Sequence, residues 1–199
     1  MLNVLARARI SVVLDPIGRS LARTGVSPDV ITVVGTIGVV AGALWFVPRG
    51  QLLAGMVVVT ALVLTDMLDG AVARARGGGS RWGALLDSTM DRIADGAVFG
   101  SVAYWLATSG RHASAVAALL CLVGAFTVSY VKARAEGLGF TCNVGIAERT
   151  ERLLVVGAGA LLSVVGVPYA LDVSLWVLAV LCAVTIGQRF HAVRRQAAG

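Results

Sequence analysis

Six apolar runs, each about the length needed to cross a bilayer's hydrocarbon, follow one another through this chain with only short polar connections between them. They read as Val30 to Val47, Leu52 to Ala75, Gly83 to Thr108, Ala113 to Ala135, Leu153 to Val167, and Ala170 to Phe190. Backbone amides and carbonyls in hydrocarbon must find partners within the protein, so runs of this length become helices. With 57% hydrophobic and 14% charged residues among 199, the chain is neither disordered nor collagen-like, and three cysteines are too few for a disulfide scaffold. The expected fold is an all-α integral membrane protein with six transmembrane helices and little left for a soluble domain.

Residues 1–26 carry Arg7, Arg9, Arg19 and Arg23 among short apolar stretches broken at Asp15-Pro16. A cleaved signal needs an unbroken apolar stretch, so this segment reads as an amphipathic helix lying along the membrane surface, with residues 27–199 forming the transmembrane domain. Ser27-Pro28-Asp29 offers a cap, a proline for the first turn and an acid at the positive helix end, which marks the start of the first span. Basic residues crowd the second and fourth connections and both termini, whereas the first and third hold Arg49 and Arg111. That asymmetry places both termini in the cytoplasm of a multi-pass cell-membrane protein. The net charge of +6 thus orients the chain in the membrane, and no nucleic-acid partner is expected.

Asp66, Asp69, Asp87, Asp91 and Asp95 lie within otherwise apolar second and third spans, near their cytoplasmic ends. An ionised carboxylate at the centre of a span costs roughly 2.5–3.5 kcal/mol on insertion scales. At about 100° per residue, Asp66 and Asp69 share one helix face, and Asp87 and Asp91 share another. The short connection from Arg74 to Arg81 makes the two helices antiparallel neighbours, so four carboxylates can meet at one depth. Two divalent cations would relieve their repulsion, and oxygen-only donors favour Mg²⁺ or Mn²⁺ over zinc. Structural Asp-Arg pairs with Arg74, Arg76 and Arg92 are the plainer alternative. Asp95 is expected in such a pair, with Arg92 or another basic group. Glycines at Gly38/Gly42 and Gly96/Gly100 are spaced for close helix packing, and Gly70, Gly83 and the run 77–79 flank the acids.

Residues 66–91 read DMLDGAVARARGGGSRWGALLDSTMD, which fits D-x2-D-G-x2-A-R-x8-G-x3-D-x3-D at every fixed position. The segment resembles the signature of the CDP-alcohol phosphotransferases, and the six-span layout resembles that family over essentially the whole chain. The resemblance implies transfer of a phosphatidyl group from CDP-diacylglycerol to an alcohol with release of CMP. It implies two metal ions, Mg²⁺ or Mn²⁺, on Asp66, Asp69, Asp87 and Asp91, with Asp91 also the general base. It further implies CDP-diacylglycerol contacts at Asp29, Val30, Ile31, Thr32, Gly70, Arg74 and Ser80, and a homodimer.

Lys132, Arg134, Arg149 and Arg152 flank the fourth connection, and Arg189 lies near the end of the sixth span. A cationic set of this kind suits an anionic acceptor, although each member also reads as a helix-end anchor, with Glu148 and Arg152 spaced for an i,i+4 pair. The segments KARAEGLG and AERTER resemble the branch of the family whose acceptor is inositol phosphate (1D-myo-inositol 3-phosphate), giving phosphatidylinositol phosphate and CMP. The branch using glycerol 3-phosphate is the runner-up. A metal-ion transporter is the reading from another class. It is disfavoured because the acids stop near one face and no inverted repeat is visible.

Overall fold

The computed structural model describes Ser20, residues 25–75 and residues 78–198, with the side chains of residues 64–69 outside that description. The surface helix expected over residues 1–26 lies outside the described residues apart from Ser20, Gly25 and Val26. Among the described residues the regular structure is helical throughout: α1 (Pro28–Phe46), a 3-10 turn (Val47–Arg49), α2 (Leu52–Ala75), α3 (Arg81–Thr108), α4 (His112–Gly137), α5 (Arg149–Val164) and α6 (Ala170–Ala197). Every expected span has its helix, with ends shifted by a few residues. Three of them are long and apolar enough to cross a membrane: α1 together with its 3-10 turn, α4 and α6.

Local chemistry sets the boundaries. Ser27 Oγ accepts from the amide of Asp29 at 3.3 Å and Ser27 O from that of Val30 at 3.1 Å, so the expected cap opens α1. Gly50, at φ +73°, ends the 3-10 turn, its amide donating to Val47 O at 2.9 Å. Ser80 opens α3 by accepting from the amide of Gly83 at 2.8 Å.

The described chain divides into two compact units, one reaching Ala43 and resuming over Val57–Ala94, the other holding Leu44–Met56 and everything from Asp95 onward. In the first, α1 and α2 approach closely at small residues. A Cβ on Gly38 would meet Leu62 Cδ1 at 2.9 Å, and one on Gly42 would meet Val58 Cγ1 at 2.8 Å, so the Gly38/Gly42 pair packs as expected.

In the second unit the core gathers Phe99 and Leu106 of α3, Cys121 and Ala125 of α4, and Leu175 and Leu178 of α6. Helices α4 and α6 run parallel: Ser114 meets Asp172 near their starts, Cys121 Sγ lies 3.1 Å from Leu175 O, and Arg189 donates to Val128 O further along. A Cβ on Gly124 would stand 2.7 Å from Cys182 Cβ, which marks a close approach of the two helices. The expected Gly96/Gly100 contact does not form among the described residues. Gly96 has only Phe126 Cζ at 3.9 Å and Gly100 faces open space, because α3 packs through Phe99, Val102 and Leu106 instead. The three cysteines are free and buried, in keeping with the absence of any paired-cysteine spacing.

Replacing Gly124 by alanine should therefore lower stability by about 1–3 kcal/mol through overpacking, whereas Gly157→Ala on α5, which meets open space, should stay within about 0.5 kcal/mol. Thermal unfolding of the two purified variants in the same detergent separates them.

Candidate active site

The acidic residues expected to hold metal belong to the first unit. Asp87 and Asp91 stand one turn apart on α3, Asp87 exposed and Asp91 half-buried beside the guanidinium of Arg92, at 3.3 Å. Asp66 and Asp69 lie in the last part of α2, and their side chains fall outside the described set. No histidine or cysteine occurs between residues 25 and 94, so any cation held here meets carboxylate and other oxygen donors only. That donor chemistry fits Mg²⁺ or Mn²⁺.

Around the acids the expected nucleotide-contact residues fall into two local groups. The carboxylate of Asp29 and the hydroxyl of Ser80 converge on Gly83, where an added Cβ would meet Asp29 Oδ1 at 3.5 Å and Ser80 Oγ at 3.2 Å. The start of α1 is thereby beside the start of α3. Thr32 turns inward, its hydroxyl donating to Pro28 O at 3.2 Å, while Val30 remains exposed and Ile31 half-buried. Arg74 lies back along its own helix, with Nη1 3.5 Å from where a Cβ on Gly70 would be. Glycine at residue 70 thus leaves the backbone open beside a guanidinium, an arrangement suited to a bulky anionic group. Beyond the end of α2 at Ala75, Gly78, at φ +121°, donates its amide to Ala73 O at 3.0 Å.

The cations expected to bind an acceptor phosphate belong to the second unit, where they have different environments. Arg134 is exposed and Lys132 half-exposed, with its ammonium 4.0 Å from Glu136. Arg149 is 24% exposed and lies 4.0 Å from Asp95 Oδ1. Arg152 is buried, pairing through Nη2 with Asp95 Oδ2 at 2.8 Å and donating from Nη1 to Ala147 O at 3.1 Å. Arg189 is buried as well, giving Nε to Val144 O at 2.9 Å and Nη1 to Val128 O, with Glu148 at 3.6 Å. The expected structural partner of Asp95 is therefore Arg152, while Arg92 lies against Asp91. Glu148 pairs with Arg189 across helices in place of the i,i+4 pair with Arg152, because Arg152 is already drawn inward to the buried Asp95.

A CDP-alcohol phosphatidyltransferase family model matches residues 25–187, from just before α1 to well into α6. The chain belongs to that family. As a CDP-alcohol phosphatidyltransferase it is a transferase of phospholipid synthesis and an integral membrane protein. A phosphatidylinositol phosphate synthase from Mycobacterium marinum is 49% identical to it over 193 residues, covering 95% of this chain and 82% of the relative. The crystal structure of Mycobacterium tuberculosis phosphatidylinositol phosphate synthase with CDP-DAG bound superposes with a TM-score of 0.86 at 49% identity, covering 90% of this chain and 92% of that one. The same M. tuberculosis enzyme in complex with manganese and citrate superposes equally well, at TM-score 0.86 and 49% identity over 90% of this chain and 88% of that one. A relative of this chain has thus been solved with a divalent metal bound.

Two features of this phosphatidyltransferase escaped the reading of the sequence. Thr185, inside an apolar span, accepts from the amides of Ile146 at 3.2 Å and Ala147 at 3.0 Å, and Gln196 brackets Thr141 through its amide and hydroxyl. With Arg189 they form a polar stripe on α6 that satisfies the irregular 138–148 connection. At the opposite ends of α4 and α6, Asp172 accepts from Arg111 at 3.2 Å and from Ser114. An isolated polar residue within an apolar run was the only available signal, and by itself it does not identify a partner. Thr185→Val should leave the buried amide of Ala147 and the part-buried amide of Ile146 without their acceptor and cost about 1–3 kcal/mol. The measurable outcome is a lower unfolding temperature with faster proteolytic nicking in the 138–148 connection.

Proposed function

We propose that this chain transfers the phosphatidyl group of CDP-diacylglycerol to inositol phosphate, 1D-myo-inositol 3-phosphate, giving phosphatidylinositol phosphate and CMP. The observation that carries the reading is near-50% identity over almost the full chain to a phosphatidylinositol phosphate synthase, with the entire acidic signature from Asp66 to Asp91 intact. The chain lies in the cell membrane as six spans with both termini cytoplasmic, preceded by a surface helix over residues 1–26, and acts as a homodimer.

Asp66, Asp69, Asp87 and Asp91 hold two divalent ions, Mg²⁺ or Mn²⁺. When bound, such ions neutralise the diphosphate and the departing CMP. The protein's own groups do the remainder. Asp29, Val30, Ile31 and Thr32 at the start of α1, with Gly70, Arg74 and Ser80, contact the cytidine diphosphate and orient it while the acyl chains stay in lipid. Asp91 takes the proton from the acceptor hydroxyl as that oxygen bonds to the phosphorus bearing the diacylglycerol. The bond from that phosphorus to the CMP oxygen breaks, and CMP leaves. Asp91 is half-buried, with the guanidinium of Arg92 at 3.3 Å.

The acceptor's phosphate is drawn by the cations of the fourth connection, of which Lys132, Arg134 and Arg149 reach solvent. A second dianion beside the diphosphate requires such counter-charge, whereas a neutral alcohol does not.

Purified protein with CDP-diacylglycerol should release CMP with inositol phosphate at a kcat/KM at least about tenfold above that with glycerol 3-phosphate. The reverse order would transfer the assignment to phosphatidylglycerophosphate synthesis. Asp91→Asn should lower kcat by about 10²–10⁴-fold with CDP-diacylglycerol still bound. Chelation with EDTA should abolish CMP release, and excess Mg²⁺ or Mn²⁺ should restore it.

A further inference from the structure

The connection between α1 and α2 holds a cation that phosphatidyl transfer does not call on. Arg49 ends the 3-10 turn there and is exposed. Its guanidinium stands over the Trp45 ring, 3.8 Å from the centroid, and its Nη1 donates to Trp45 O at 2.6 Å. Stacking and this hydrogen bond hold the group in place and leave its other N–H donors available. Arg111, the cation of the third connection, is by contrast committed within the protein. Its Nε donates to Asp172 at 3.2 Å, and Ser114 bonds the same carboxylate.

Arg49 sits in the second unit, on a turn that its neighbours hold in place. Gly50 carries φ +73°, and a Cβ there would meet Trp105 Nε1 at 3.3 Å, so the turn is seated against the indole of α3. Leu44 and Trp45 before the turn and Leu53 after it are exposed apolar side chains. The segment Pro28–Arg49 is long and apolar enough to cross a membrane, which puts Arg49 at the margin where headgroup phosphates lie. The carbonyl end of α1 and the amide end of α2 meet at this turn and offset each other, so the guanidinium sets the sign of the local charge.

A guanidinium held at the end of a span, with exposed apolar side chains on the membrane side of it, suits a ligand that is an oxygen-rich anion at its head and hydrocarbon below. We propose that the α1–α2 turn is a phospholipid site, in which Arg49, braced on Trp45, takes the phosphodiester of an anionic phospholipid while the acyl chains lie along Leu44, Trp45 and Leu53. With both termini cytoplasmic, as in the reading above, that lipid belongs to the outer leaflet. No residue of the site belongs to the acidic signature or to the cations expected to meet the acceptor.

Titrating the full-length protein in detergent with phosphatidylglycerol, with diacylglycerol of the same chains and with inorganic phosphate tests this, the unfolding temperature being read at each concentration. Phosphatidylglycerol should raise the unfolding temperature of the wild type, and neither diacylglycerol nor inorganic phosphate should match it. Arg49→Gln should require about tenfold more phosphatidylglycerol for half of the shift. Trp45→Leu, which keeps the charge and removes its support, should require at least about threefold more. Arg194→Gln, which removes an exposed cation from the last turn of α6, should stay within about twofold of wild type. Three results would each overturn the proposal: an unchanged requirement in Arg49→Gln, an equal loss in Arg194→Gln, or diacylglycerol as effective as phosphatidylglycerol. Arg49 is exposed, so the lipid-free unfolding temperature of Arg49→Gln should stay close to that of the wild type; should that variant not fold, Trp45→Leu decides, an unchanged requirement again overturning the site. No turnover is read, so failure here is distinct from failure of the proposed transfer reaction.

Discussion

Ionised groups are costly in hydrocarbon, and this chain manages the cost by keeping its charges near helix ends and giving the deepest ones fixed partners. Asp95 and Arg152 neutralise each other at almost no exposure, Arg189 is enclosed by carbonyl oxygens and Glu148, and Asp172 is satisfied by Arg111 and Ser114. Each pair is also a cross-link between helices, so the same contacts that neutralise charge hold α3, α4, α5 and α6 together within the second unit. Apolar packing cannot supply that specificity, because lipid tails solvate leucine and valine as readily as a neighbouring helix does.

Satisfying the backbone imposes a second demand of the same kind. The 138–148 connection has no helix of its own among the described residues, and Thr185, Arg189 and Gln196 supply partners for Ile146, Ala147, Val144 and Thr141. Irregular backbone near a membrane is tolerated where protein satisfies it. A polar stripe along one helix thereby replaces the water that a soluble loop would use, and it holds still the segment leading into Arg149 and Arg152.

Membership of the CDP-alcohol phosphatidyltransferases gives the acidic quartet its chemical meaning, while local geometry explains its surroundings. Asp29 and Ser80 meet at Gly83 because helix starts are where side-chain oxygens and free amides gather. Arg74 lies along Gly70, its Nη1 at ordinary contact distance from where a Cβ would be. These are local consequences of the signature's glycines, which leave room beside Arg74, Asp29 and Ser80.

Much of this was legible in the order of residues. Hydropathy located the six described helices from Pro28 onward, Ser27-Pro28 marked where the first of these begins, and the spacing of Asp66, Asp69, Asp87 and Asp91 identified the acidic signature, since period and capping act over a few neighbours in the chain. Tertiary structure decided what depends on distant partners. It gave Asp95 its basic partner in Arg152, gave Glu148 to Arg189, left Gly100 facing open space while Gly124 met Cys182, and turned two of five expected phosphate-binding arginines and lysines inward. A charge's sign is written in the sequence, but which opposite charge it reaches depends on how segments far apart in the chain come to lie side by side.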